Sequence, residues 1–210
     1  MHDGYDRIKD TLRLAYDRDV ARRQAVQPSA WRIDLADQFA AHARRRGLHR
    51  VLELGAGTGQ LAAHLQGHGL DVVATDLSPA SVAAMRERGL TADVVDLSAL
   101  PYPDAAFDAA FAMNALLHVP KDRLHGVMRG VRRVLRAGGL AMIVVWGGPD
   151  LDGPIANDWL DPPRFFSLYS DDAFHALAFP GFATVRSDVL DVTSGPDGEL
   201  HPQVKLLEAV

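Results

Sequence analysis

The chain has 210 residues, 48% hydrophobic and 23% charged, with a formal net charge of −5. That length and balance suit one globular domain with a sizeable core, and the acidic balance argues against a nucleic-acid partner. With no cysteine, disulfides, thiolate nucleophiles and thiolate metal sites are excluded.

The first ten residues, MHDGYDRIKD, hold no apolar run behind basic residues. No secretory signal is expected, and a cytoplasmic protein is. Apolar runs such as 140–146 are too short to span a bilayer, so no membrane partner is expected. Ile8, Leu12, Leu14 and Ala15 give a loose helical stripe, which Pro28 ends. Trp31, Leu35, Phe39 and His42 then recur at helical spacing as far as Gly47. Arg44, Arg45 and Arg46 fall at the end of that helix, where cations suit the dipole.

The pattern then changes. Residues 50–54 (RVLEL) read as a short strand ending at glycines, and 58–66 as a helix closed by Gly67 and Gly69. A second strand is predicted over 71–75. A helix follows over 79–88, with Pro79 in its first turn and Gly89 at its end. Residues 91–95 and 107–113 read as the third and fourth strands. A helix over 121–135, closed by Gly138 and Gly139, leads to a fifth strand over 140–146. Such alternation means βαβ units and a parallel sheet covered on both faces. Residues 147–167 are rich in Gly, Pro and Asp without a clear period, and read as a long functional loop or lid. A last helix is predicted over 171–178. Residues 182–192 and 203–210 are β-rich, and the SGPDG between them is a hairpin signal, so the sheet should end in an antiparallel pair.

The most informative stretch is 51–60, VLELGAGTGQ. Gly55, Gly57 and Gly59 follow a strand and open a helix, so a ligand can lie against bare backbone. A dinucleotide fingerprint requires glycine at position 60, where this chain has Gln60. Glu53, just before the glycines, would oppose a pyrophosphate. The loop therefore suits a ligand with positive charge and no phosphate, and S-adenosylmethionine, with its sulfonium and ammonium groups, fits. Asp76 closes the second strand, about 20 residues after Gly55, where a carboxylate accepts ribose hydroxyls. Asp96 closes the third strand and can accept from an adenine amino group. Three strand ends and one glycine loop point at one crevice.

This series resembles that of class I S-adenosylmethionine-dependent methyltransferases. E-x-G-x-G-x-G is followed by Asp76 in ATDLSP, Asp96 in VVDLSALPYPDAAFD, and LLHVPKDRLHGVMRGVRRVLRAGGL. The N-terminal helical cap and the PPRFFS segment are similar to those of small actinobacterial-type methyltransferases. The resemblance implies an α/β, doubly wound, mostly parallel seven-stranded sheet of the Rossmann-like methyltransferase fold, with an antiparallel C-terminal strand pair and an N-terminal helical cap. It implies one methyltransferase domain over 1–210: a cap (1–47), a cofactor-binding core (48–146), and a lid loop with the C-terminal strands (147–210). Glu53, Gly55, Ala56 and Gly57 would surround the methionine portion. Asp76 would hold the ribose, with Leu77 against the adenine. Asp96 and Leu97 would bracket the adenine edge, and Asn114 would help hold the ammonium group through its backbone carbonyl.

Methyl transfer is an in-line displacement at an already activated carbon, so alignment matters most, and a base helps when the acceptor carries a proton. His118 lies where the family's acceptor pocket opens; it is the candidate catalytic residue, or else it anchors the loop before Pro120. Tyr5, Tyr16 and Trp31 belong to a segment that in this family folds over the cofactor, although Trp31 also suits the core side of its helix. Arg164, Phe165 and Phe166 are candidates for the acceptor wall. His64 and His68 have metal-ligand spacing, but no acidic partner is evident and no metal is expected. The DPPR stretch at 161–164 is far from the fourth strand, where the D/N-P-P-Y box of nucleic-acid methyltransferases belongs, and the acid set of magnesium-dependent catechol-type enzymes is missing. The expected function is therefore methyl transfer to O, N or C of a small molecule. The alternatives are cofactor binding without transfer, another reaction such as cyclisation, and a nicotinamide-dependent dehydrogenase, against which Gln60 and Glu53 argue.

Overall fold

A computed structural model describes residues 4–155, 158–192 and 199–210. The chain opens with α1 (Gly4–Ala25) and α2 (Ala30–Arg45). Pro28 cannot continue the first helix, and Ser29, extended at φ −65° and ψ 156°, starts the second. α2 buries Leu35, Ala36, Phe39, Ala40 and Ala43 in the core. α1 buries only Leu12, Ala15 and Asp19, and Leu14 of the expected stripe is exposed. Arg46 does more than suit a dipole, because its guanidinium donates to both carboxylate oxygens of Glu208 at 3.0 Å.

The body alternates as expected: β1 (Arg50–Leu54), α3 (Gln60–Gly67), β2 (Asp71–Asp76), α4 (Pro79–Glu87), β3 (Thr91–Val94), β4 (Phe107–Met113), α5 (Lys121–Val134) and β5 (Leu135–Gly147). Pro79 opens α4, and the Ser78 side chain caps it by accepting from the Ser81 amide. The boundaries agree within two residues except between α5 and β5. α5 stops at Val134, because Leu135 is already extended, and Gly138 and Gly139 lie within β5 rather than closing the helix. A register shift against β4 between Phe107 and Ala109 absorbs them.

The region read as an irregular loop has its own structure. β6 (Leu151–Pro154) pairs antiparallel with β7 (Phe165–Leu168) as a two-stranded ribbon. Four-residue strands containing Gly153 and Pro154 carry too short a pattern to show period two. α6 (Asp171–Ala176), β8 (Phe182–Val189) and β9 (His201–Ala209) complete the chain. The SGPDG turn signal lies outside the described residues, but the strands on either side of it pair antiparallel, with Phe182 opposite Ala209.

The large sheet has seven strands in the order β3-β2-β1-β4-β5-β9-β8. β1 to β5 run parallel, and β9 is antiparallel to β5 and β8. Each face buries its own apolar layer. One holds Phe39 of α2, Leu61 and Leu65 of α3, and Val82 and Met85 of α4. The other holds Leu124, Val127, Met128 and Val131 of α5 and Phe174 of α6. Lys205 of β9 is buried, and its ammonium donates to the carbonyls of Leu177 (2.7 Å) and His175 (3.3 Å) at the end of α6. Those carbonyls take two of its three donors, and burial lowers its pKa. The strand order reverses between β1 and β4, and the crevice beyond their carboxyl ends is where open α/β sheets bind ligands.

Candidate functional site

Glu53 sits on β1 between Ala74 of β2 and Phe111 of β4. It is 2% exposed, and its Oε2 has no hydrogen-bond partner among the described residues. Burial, with the Asp76 charge next, pushes its carboxyl up to about 8. Just past β4, Asn114 has φ +59°, a left-handed conformation that asparagine tolerates. Its amide donates to the Val144 carbonyl at 2.8 Å, and its buried side-chain Oδ1 is also without a partner. Two orphaned acceptors thus stand at the carboxyl ends of neighbouring strands, on both sides of the switch point.

The glycines of the loop have different tasks. Gly55, at φ +66°, packs so close to Ala115 that an added Cβ would meet the Ala115 Cβ at 2.4 Å. At Gly59 a Cβ would strike Leu90 and Met85. Gly57, at φ +58°, has nothing within 4 Å of that position, so its backbone faces open space. The Gly57 amide donates to Asp76 Oδ2 at 2.8 Å, and the Ser78 amide to Oδ1 at 2.9 Å. Asp76 therefore holds the loop in shape and still has lone pairs for two more donors. Burial raises its carboxyl to about 6, against the two amide bonds that lower it.

α1 lies across the ends of these strands. Lys9 Nζ reaches Asp96 Oδ2 at 2.7 Å, beyond β3, and also pairs with Asp6. Asp96 Oδ1 accepts from the Ser98 amide and hydroxyl. Burial works to raise the Asp96 carboxyl, but these bonds hold it below the usual range. Asp17 accepts from the Ser78 hydroxyl at 2.5 Å, beyond β2. Gln60, where a dinucleotide fingerprint would have glycine, donates to the Arg23 and Val26 carbonyls and ties the α1–α2 linker to the loop.

Beyond β4, the Tyr16 hydroxyl meets His118 Nε2 at 2.5 Å, and His118 Nδ1 meets the Phe165 carbonyl of β7 at 2.7 Å. A carbonyl only accepts, so Nδ1 carries the proton and Nε2 accepts from Tyr16. Burial pushes His118 down to about 3, and Arg164 and Arg23 act the same way against the Phe165 bond. The ring is neutral and both its nitrogens are engaged. Arg164 donates to Tyr16 Oη at 3.3 Å and grips Asp158 through both carboxylate oxygens at 2.6 and 3.0 Å. This Arg164–Asp158 pair joins cap, lid and His118, and no local sequence pattern marks Asp158.

Other expected residues fall nearby. Ala56 packs partly against the α2–α4 layer, and Leu97 and Tyr5 against the α5 layer. Leu77, directly after Asp76, is partly buried. Trp31 stacks edge-on against Trp146 at 5.6 Å, on the core side of α2. One expectation needs correction. His64 and His68 do have an acidic partner, Asp37 of α2, whose Oδ1 lies 2.6 and 2.8 Å from their Nε2 atoms. It is 27 residues from His64 in sequence, too distant for a spacing argument.

Residues 51–139 match a family described as a methyltransferase domain. The chain is 36% identical over 149 residues to a 27-O-demethylrifamycin SV methyltransferase of Amycolatopsis mediterranei, covering 65% of this chain and 54% of that protein. It is 33% identical over 147 residues to a demethylmenaquinone methyltransferase of Beutenbergia cavernae, covering 69% and 54%. The chain thus spans about half the length of the curated relatives it matches. A Burkholderia thailandensis 1,6-didemethyltoxoflavin-N1-methyltransferase, solved with its substrate and S-adenosylhomocysteine, superposes with a TM-score of 0.71 at 20% identity. The match covers 100% of this chain and 92% of that one. The [4+2]-cyclase SpnF superposes with a TM-score of 0.63 at 23% identity, over 84% and 80%. Both structures share this fold.

Proposed function

We propose that this chain is a class I S-adenosylmethionine-dependent methyltransferase, which transfers the methyl group of S-adenosylmethionine to O, N or C of a small molecule. The carrying observation is the pair of buried, unpartnered acceptors, Glu53 Oε2 and Asn114 Oδ1, beside the bare backbone of Gly57. Acceptors without a cation suit an ammonium and repel a phosphate. The residues present therefore fit this cofactor, which supplies the activated methyl group.

In this reading Glu53, Gly55, Ala56, Gly57 and Asn114 surround the methionine portion. Asp76 holds the ribose with its remaining lone pairs, Leu77 lies on the adenine, and Asp96 and Leu97 bracket its edge. Tyr16 and Trp31 are the cap's contribution. His118 is a positioning residue rather than a base, since a buried neutral imidazole pushed down to about 3 is a weak proton acceptor near pH 7. It clamps Tyr16 of the cap to Phe165 of the lid and excludes water from the acceptor side. Cap (1–47), core (48–146) and lid with C-terminal strands (147–210) act as one domain. No helix among the described residues is long and apolar enough to cross a membrane. The reading includes a cytoplasmic location and, given the net charge of −5, no nucleic-acid partner.

The direct test is release of S-adenosylhomocysteine when the protein meets panels of small hydroxyl, amine and activated-carbon acceptors with labelled methyl donor. Acceptor-dependent release with label in the product is expected. A rearranged product without release would favour cyclisation or another use of the bound sulfonium, which the shared fold of SpnF keeps in play.

Glu53 gives this reading a pH signature. At pH 7 a carboxyl raised to about 8 is largely protonated. A cationic ligand favours the carboxylate, so binding lowers that pKa and releases a fraction of a proton. Calorimetry at pH 7 should therefore give a binding enthalpy that varies with buffer ionisation enthalpy. Affinity should rise with pH to about 8 and then level. In the protein alone the sign is opposite: a carboxyl whose folded pKa is raised lends stability at low pH that is lost as pH climbs through about 8. Glu53→Gln should abolish the buffer dependence, and an unchanged dependence in that variant would remove Glu53 from the site.

A further inference from the structure

We propose that Asp37, His64 and His68 form a divalent transition-metal site of the zinc class that joins cap helix α2 to core helix α3. The three ligand atoms all lie within 4.8 Å of one another. Around a tetrahedral zinc ion with bonds of about 2.0–2.1 Å, neighbouring ligand atoms stand roughly 3.3 Å apart. The present Oδ1–Nε2 distances of 2.6 and 2.8 Å need to open by roughly 0.5–0.7 Å to admit the ion.

The backbone presents the histidines for this task. His64 lies on α3, and His68 is its C-cap at φ −85° and ψ 7°, still close enough to helical to keep both rings on one face. Their centroids are 4.9 Å apart. Asp37 projects from the neighbouring helix α2. Two imidazoles and a carboxylate are a borderline ligand set that suits zinc, nickel or copper better than calcium or magnesium. The side chains are 28%, 35% and 45% exposed, so the ion can enter and keep water in its fourth position.

The site lies at the far end of α3 from the glycine loop. At the near end, Gln60 already fastens the α1–α2 linker. A metal at the other end would fix α2 against the same core helix from both sides, which makes its role structural. It is independent of what the crevice binds.

The test uses the full chain without an affinity tag. Zinc is titrated in competition with a chromophoric chelator, and copper(II) is followed by electron paramagnetic resonance. One zinc per chain is expected, with affinity reduced about tenfold or more in Asp37→Asn and in His68→Gln. Zinc should raise the thermal midpoint of the native chain and not of the variants. The copper spectrum should show two coupled nitrogens, one of them lost in His64→Gln. All three positions are part-exposed, so the variants should fold, which the midpoints without metal verify. Absence of zinc binding at submillimolar concentration, or binding equal in the native chain and all three variants, would overturn the proposal.

Discussion

Deleting residues 1–25 is expected to lower turnover roughly 100-fold or more while leaving a cooperatively folded sheet. The deletion removes Lys9 from Asp96, Asp17 from Ser78, Tyr16 from His118, and the Arg23 carbonyl from Gln60. Those contacts spread α1 across the ends of β3, β2 and β4 and set the roof of the crevice. The loss to the core is small, because α1 buries only Leu12, Ala15 and Asp19 and the sheet begins at Arg50. Turnover should suffer because alignment and exclusion of water depend on the roof. Cofactor affinity should fall less, about tenfold, since Glu53, Gly57 and Asp76 stay in place, and one lost charged hydrogen bond or two is of that size. Steady-state kinetics, cofactor titration and thermal unfolding of the truncated chain separate the three quantities. Full activity with a stable sheet would show that α1 does not roof the site and would leave the acceptor pocket to His118 and the β6–β7 ribbon.

Gly57→Val is expected to fold and to lose at least about 100-fold in S-adenosylmethionine affinity, since one blocked approach removes several contacts at once. A Cβ at this position meets no atom of the other described residues within 4 Å, its chain neighbours aside, so the side chain grows into the space that the ligand needs. Its cost to the fold is conformational: a β-branched residue at φ +58° is strained by roughly 1–2 kcal/mol. Gly55 would be a poorer probe, because a Cβ there strikes Ala115 at 2.4 Å and disturbs the packing of β1 on the β4 turn. Calorimetric titration, with circular dichroism to verify folding, reads the effect. Normal affinity in the folded variant would place the ligand elsewhere.

The βαβ body was legible because its signals are local. Strand runs, Pro79 at a helix start and positive-φ glycines each act within a few residues. Glu53 stands out as a site candidate from sequence alone, because a carboxylate ahead of a glycine loop opposes phosphate wherever its side chain points. The cap contacts were not. Lys9 and Asp96 are 87 residues apart, and Tyr16 and His118 are 102 apart, so only the fold brings them together. The His118 contacts are equally hidden, because nothing local reveals that Tyr16 and Phe165 engage both of its nitrogens. The β6–β7 ribbon carries no strand signal in the sequence, because its pairing depends on backbone contacts between short strands, not on an apolar period. Asp37 is hidden for the same reason as the cap contacts. The His64–His68 spacing was visible, but its third ligand comes from another helix.

The most direct measurement is a crystal structure with S-adenosylhomocysteine bound. The ribose hydroxyls are expected on Asp76, the amino group beside Glu53 and Asn114, and the methionine portion along the Gly57 backbone. The thioether sulfur should face the side closed by Tyr16 and His118. Electron density for the ligand outside the crevice between β1 and β4, or inside it with no atom near Glu53 and Asp76, would contradict this assignment of the site.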